Sequence, residues 1–214
     1  MSLRLVMARH GETPANAQHI LDTRPPGLPL NERGRAQAVA LGARLAADPV
    51  TAVYASAAVR AQQTAAPVAE AHGLDVQVID GVHEVFCGEL EGRSGRVALE
   101  RFMAVYEAWW TGDLDARLPG GESAHDVRDR FLPALDRILD GASGDVVLVS
   151  HGAAIRLAAA ALLGDTAETR FLPNTGLVVL RPDDKAPQNG AWVLEHWDGA
   201  TPIAGDVTAG GAPA

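Results

Sequence analysis

The stretch Arg4-Leu5-Val6-Met7-Ala8-Arg9-His10-Gly11 decides the fold. Its apolar run is short, free of charge and suited to a buried strand. A strand that runs into a glycine-bearing turn delivers its last side chains to the carboxyl edge of a sheet, where open α/β folds bind ligands. The pattern returns downstream, where Val146-Val147-Leu148-Val149 leads into Ser150-His151-Gly152. If the two strands are neighbours, His10 and His151 meet at one site.

Working outward, strands and helices alternate. Pro14, Pro25, Pro26 and Pro29 exclude a long helix from the loop 9–30. Asn31 reads as the cap of a helix reaching about Asp48. A short strand, Ala52 to Ala55, ends at Ser56, and a helix follows from about Ala58 to His72, stopped by Gly73. A third strand is expected around Val76 to Ile79. A helix is expected from Arg96 to Gly112, with Leu99, Phe102, Met103, Tyr106 and Trp110 on one face. Ser123 caps the next helix, which Pro133 should kink or shift in its start. A further helix, from about Ala153 to Leu163, and two strands near 177–180 and 192–196 complete the pattern. It predicts an α/β three-layer sandwich with a mostly parallel central sheet. Residues 1–198 read as a single domain. The stretch 82–122 interrupts the alternation and is expected to form a helical lid over the site, and 199–214 reads as a mobile tail.

Composition narrows the function. The chain has 214 residues, one cysteine and a formal net charge of −9. That charge argues against nucleic acid as a partner. An anionic substrate would need a local cluster of positive charge in a cleft, for which Arg9 and Arg60 are candidates. No apolar run approaches the ~20 residues that span a bilayer, so no membrane association is expected. With a lone cysteine, Cys87, and no leader pattern, the expected location is cytoplasmic.

Five blocks carry a resemblance to a known family. They are Arg9-His10-Gly11-Glu12-Thr13 with Asn16, Ser56 with Arg60-Ala61-Gln62-Gln63-Thr64-Ala65, Glu84 with Gly88 and Glu91-Gly92, Gly120-Gly121-Glu122-Ser123, and Ser150-His151-Gly152. In this order and over most of the chain, they resemble the histidine phosphatase superfamily, also called the phosphoglycerate mutase-like family. The resemblance implies phosphoryl transfer through a phosphohistidine, with no cofactor and no metal, on a small-molecule phosphate ester.

The residue types suit that chemistry. His10 is the expected nucleophile, because a neutral imidazole can attack phosphorus and adjacent arginines disfavour its charged form. Arg9 and Arg60 are expected to clamp phosphate, since guanidinium matches phosphate bidentately and stays charged. By the resemblance, His151 binds the phosphoryl oxygens and Asn16 touches phosphate. Gly152 can offer a backbone N–H where a helix begins. Glu84 is the general acid by analogy, with Glu89 and Glu91 as rivals, because the acidic residue usual near Gly88 is missing. Cys87 lacks the Cys-x5-Arg spacing of a cysteine phosphatase and reads as inert. His19, His83 and His125 match no metal-ligand spacing.

The same blocks serve mutases and phosphatases. Residues 93–119 carry Arg93, Arg96, Arg101 and Arg117 but no lysine and no basic doublet. A second acidic group on the substrate would find fewer partners there. A phosphatase is therefore expected, with a cofactor-dependent phosphoglycerate mutase as the alternative. A metal-dependent hydrolase and a non-catalytic phosphate-binding module are the readings from other classes.

Overall fold

The structure, a computed structural model, describes residues 2–165, 170–183 and 191–199. Of the tail expected over 199–214, residues 200–214 lie outside the described residues. Strand β1 (Arg4–Arg9) is followed by a short helix α1 (Pro14–Ala17) and helix α2 (Glu32–Leu45). Then come β2 (Val50–Ser56), α3 (Val59–His72), β3 (Val76–Ile79), α4 (Arg96–Trp110) and α5 (Ala124–Leu139). The described elements end with β4 (Asp145–Ser150), α6 (Gly152–Leu163), β5 (Leu177–Pro182) and β6 (Trp192–Trp197).

The caps agree with the sequence. Asn31 accepts a hydrogen bond from the Gly34 amide at the start of α2, and Ser123 forms a capping box with Asp126 at the start of α5. Gly73 closes α3 in the left-handed conformation, at φ 65°, where a Cβ would be strained. Pro14 occupies the first turn of α1, where its missing N–H costs nothing. Pro133 neither moves the start of α5 nor ends it, since the helix runs on to Leu139.

The sheet order is β3-β2-β4-β1-β5-β6. Strands β3, β2, β4 and β1 are mutually parallel, and β5 joins β1 antiparallel, as β6 joins β5. Alternation along β1 divides the core. Leu5 and Met7 pack with Val146, Leu148 and Phe131 on one face of the sheet. Val6 and Ala8 pack with Val147, Val149 and Leu41 on the other. Burial on both faces is why β1 and β4 read as unbroken apolar runs. At the opposite end of the sheet from His10, Arg4 pairs with the buried Asp145. Among the described residues, no helix is long and apolar enough to cross a membrane.

Candidate active site

The β1–β4 register pairs Arg9 with Ser150, so the residues that follow emerge side by side. The His10 amide donates to the Ser150 carbonyl at 3.0 Å. The two imidazole rings stand edge to face, centroids 5.1 Å apart. His10 Nδ1 lies 2.7 Å from the Gly11 carbonyl oxygen. A carbonyl can only accept, so Nδ1 carries the proton and Nε2 keeps its lone pair. His151 has the opposite arrangement. Its Nδ1 faces an Arg60 Nη2 donor at 3.3 Å, so Nε2 carries the proton and donates to Ser56 Oγ at 2.7 Å. Both rings are buried. Burial, followed by the charge of Arg60, holds both well below the ordinary histidine value, and Arg9 adds to the effect at His10. Both are neutral near pH 7.

Two buried guanidinium groups complete the floor. Arg9 donates to the Leu172 carbonyl at 2.8 Å, and burial lowers its pKa to about 10, opposed by Glu84. Arg60, in the first turn of α3, donates from Nη2 to the Asp22 carbonyl and pairs through Nη1 with the Asp22 carboxylate. Its pKa is also lowered by burial, with Asp22 opposing. Thr64 ties this helix to the turn after β1. Its hydroxyl accepts from the Gly11 amide at 2.9 Å and donates to the Arg60 carbonyl.

Glu84 sits at the amino end of α6. Its carboxylate accepts from the amides of Val85, Ala153 and Ala154. The segment that carries it is fastened from behind. Ser150 Oγ donates to the Val82 carbonyl, and Arg130 of α5 donates to the carbonyls of Gly81, His83 and Glu84. Glu122, from the Gly-Gly-Glu block, pairs with Arg130 and accepts from the Phe86 amide. The rivals lie elsewhere. Glu89 pairs with Arg101 at the surface, and Glu91 accepts from Thr23 and Cys87. Of the three, Glu84 alone lines the cleft. Cys87 is buried, and its thiol is pushed up to about 12, chiefly by burial, which agrees with an inert side chain.

Gly152 and Asn16 both line the cleft. Gly152 is the first residue of α6, and a Cβ there would come within 3.3 Å of Arg9 Nε. The Asn16 side-chain oxygen is committed to the Thr13 capping box, leaving its amide as the donor available to an anion.

The floor opens into a cleft of about 160 Å³. Leu99, Phe102, Met103, Tyr106 and Trp110 from α4 form one wall, all five of the residues expected on a single helical face. Arg156, one turn along α6 from Gly152, also lines it and lies over the Tyr106 ring at 4.7 Å. Among the described residues, no group of three or more His, Cys, Asp or Glu could hold a metal ion.

Several contributors were not anticipated from sequence. Asp22, Arg156, Phe171 and Leu172 line the cleft, and Asn174 Nδ2 donates to the His10 carbonyl at 2.9 Å. The Pro173-Asn174-Thr175-Gly176 turn was the available signal, because such composition marks an ordered turn.

Neutral imidazoles beside fixed cations, with a carboxylate at hand, form a site for a tetrahedral oxyanion. The molecule is thus an α/β protein with an anion site at the carboxyl edge of its sheet. The chain belongs to the histidine phosphatase superfamily, branch 1, whose model matches residues 5–195. It is an enzyme of the phosphoric monoester hydrolase type. It is 32% identical over 218 residues to "Probable phosphoglycerate mutase GpmB" of Salmonella choleraesuis, covering 99% of this chain and 97% of that protein. It is 29% identical to the PE-PGRS family protein PE_PGRS11 of Mycobacterium tuberculosis over 92% of this chain, but spans only 37% of that protein's length. Its fold matches a mycobacterial glucosyl-3-phosphoglycerate phosphatase in complex with VO3 at TM-score 0.79 and 28% identity, covering 92% of this chain and 99% of that one. An alpha-ribazole phosphatase from Shigella flexneri matches at TM-score 0.71 and 27% identity, covering 91% and 96%.

Proposed function

We propose that this chain is a metal-independent phosphatase that hydrolyses small phosphomonoesters through a phosphohistidine on His10. The observation that supports it most is the His10 tautomer. A buried, neutral ring whose Nδ1–H is held by the Gly11 carbonyl presents Nε2 as a lone pair beside two guanidinium groups. A module that only binds phosphate has no use for that arrangement.

Arg9, Arg60, the Asn16 amide and the Gly152 N–H hold the phosphoryl oxygens, while His151, fully buried with its N–H on Ser56 and its lone pair on Arg60, positions the Arg60 guanidinium instead of meeting the oxygens as the sequence led us to expect. His10 Nε2 attacks phosphorus as the P–O bond to the alcohol breaks. Glu84 gives a proton to the departing oxygen. Water then attacks the phosphohistidine, Glu84 takes the water proton, and inorganic phosphate leaves with His10 neutral again. The overall charge of −9 is met locally, by a cleft that focuses the field of its arginines. Residues 1–198 act as one catalytic domain, with α4 as the roof that meets the alcohol.

A phosphoglycerate mutase is the second reading, supported by the names of several relatives and by Arg156, a cation within the cleft that could meet a second acidic group. Against it stands the apolar α4 wall. A substrate panel with chelator present decides. It comprises p-nitrophenyl phosphate, sugar phosphates, and 3-phosphoglycerate with and without 2,3-bisphosphoglycerate. Phosphate release without isomerisation is expected. Bisphosphoglycerate-dependent formation of 2-phosphoglycerate would establish the mutase instead, and activity lost with chelator would establish a metal-dependent enzyme.

A further inference from the structure

The anion site contains a carboxylate that the chemistry above does not use. Asp22 lines the same cleft as His10 and Arg60, and its side chain is 19% exposed. One residue engages Arg60 twice. The Asp22 carboxylate lies 3.3 Å from Nη1, and its backbone carbonyl accepts from Nη2 at 3.0 Å. The carboxylate is itself fixed, since Oδ2 also accepts from the Leu28 amide at 2.9 Å. Gly27 closes the loop over this pair. A Cβ at Gly27 would come 2.1 Å from Arg60 Nη1 and 3.2 Å from Asp22 Oδ2.

This arrangement places a fixed negative charge on one of the two clamps. The histidines, being neutral, do not offset it. A phosphoryl dianion that reaches Arg60 must share the guanidinium with Asp22 and lie near a like charge, in a cleft where screening by salt is weak. The ion pair has two opposite effects on anion affinity. It holds Arg60 in position, which helps, and it repels the anion and occupies a donor, which hurts. Each effect gives the neutralised variant a different sign.

We propose that Asp22 is an affinity-setting residue, whose carboxylate competes with phosphate for Arg60 and keeps the grip on free phosphate weak. This rests on reading Arg9, Arg60, His10 and His151 as the phosphate site. For a hydrolase the benefit is release. The product is the same dianion that the clamps attract, and an internal competitor speeds its departure.

The test is calorimetric titration of the whole chain with inorganic phosphate, wild type against Asp22→Asn. Asparagine keeps an oxygen for the Leu28 amide and removes the charge. The expected result is phosphate binding about tenfold tighter in the variant, with stronger phosphate inhibition of p-nitrophenyl phosphate hydrolysis. Gly27→Ala is the comparator for lost positioning, because at φ 64° it strains the loop and displaces Arg60 without changing charge, and its phosphate affinity should fall. An Asp22→Asn variant that weakens alongside it, or stays at the wild-type value, overturns the proposal. So does failure of both wild type and Asp22→Asn to bind phosphate at all. Should Asp22→Asn fail to fold, Asp22→Ser removes the same charge and is read by the same signs. The binding readout does not need turnover. A wild type that binds phosphate but cleaves no ester sinks the phosphatase reading, while the sign at Asp22 still decides this one.

Discussion

His10 and His151 meet edge to face, centroids 5.1 Å apart, because Arg9 and Ser150 are register partners in adjacent parallel strands. The two rings are held in opposite tautomers by different acceptors, the Gly11 carbonyl for His10 and the Ser56 hydroxyl for His151. One ring therefore offers a lone pair to the cleft, while the other spends its lone pair on Arg60. The proposed division between a nucleophile and a ring that positions Arg60 follows from that difference.

His10→Ala should reduce turnover of p-nitrophenyl phosphate by about 10³-fold or more and leave the circular dichroism spectrum unchanged. Near-normal turnover in a folded variant would end the phosphohistidine mechanism.

Glu84→Ala should separate substrates by leaving group. Alkyl phosphates, whose alkoxide needs a proton, should lose about 10²- to 10⁴-fold in kcat, and p-nitrophenyl phosphate far less. Equal losses on both would assign the proton to another group.

Arg130→Ala should reproduce part of that pattern from a distance. Arg130 holds the carbonyls of Gly81, His83 and Glu84 and pairs with Glu122, so its loss frees the segment that carries the proposed acid. A kcat loss concentrated on alkyl phosphates, with KM for p-nitrophenyl phosphate little changed, is expected. A uniform loss on all esters would show that Arg130 serves stability alone.

Ser56→Ala removes the acceptor of the buried His151 Nε2–H. Leaving that donor unpaired should cost about 1–3 kcal/mol of stability, measured by urea denaturation. With the ring no longer fixed, kcat should fall roughly ten- to a hundredfold. Ser56→Thr, which restores a hydroxyl, should recover much of both. Full activity in Ser56→Ala would remove the hydroxyl from any positioning role.

The histidines also set the response to acid. Burial, helped by Arg60 at both rings and by Arg9 at His10, lowers His10 and His151 well below 6.5, and burial with Arg130 lowers His83 to about 4. A lowered pKa means that the unfolded chain takes up protons the folded one refuses. This stability is complete above about pH 6.5 and is lost as pH falls from there, through about 4 in the case of His83. Each such histidine contributes a slope of up to about 1.4 kcal/mol per pH unit within its window. Urea midpoints measured from pH 8 to pH 4.5 should be flat at first and then decline below 6.5. A midpoint independent of pH down to 4.5 would contradict neutral buried rings. His10 protonation should likewise leave no inflection in kcat/KM between pH 6 and 8.

The strand-end histidines were legible in the sequence because β1 and β4 are buried on both faces and so appear as unbroken apolar runs, each stopped by a glycine. Asn31, Gly73 and Ser123 announced their helix ends for equally local reasons. The α4 wall was visible as helical spacing. What stayed hidden depends on loops returning from far along the chain. Asp22 on Arg60, Leu172 on Arg9 and Asn174 on the His10 carbonyl are contacts for which no periodicity exists. Arg156 reaches the cleft from the helix after His151, outside the basic residues of 93–119, and no spacing marks it as a cleft cation. Which of Glu84, Glu89 and Glu91 faces the cleft was hidden as well, since the segment 82–92 has no repeating pattern to orient its side chains.

Glu84 rests on the amides of Ala153 and Ala154, the opening residues of the helix that His151 caps. Its seat is thus part of the floor, and the α4 wall takes no part in it. The two portions of the pocket are therefore separable. Under the proposed mechanism, a library confined to Leu99, Phe102, Met103, Tyr106 and Trp110 varies the wall that meets the alcohol and leaves the seat of Glu84 untouched, so it is the natural place to begin redirecting the enzyme.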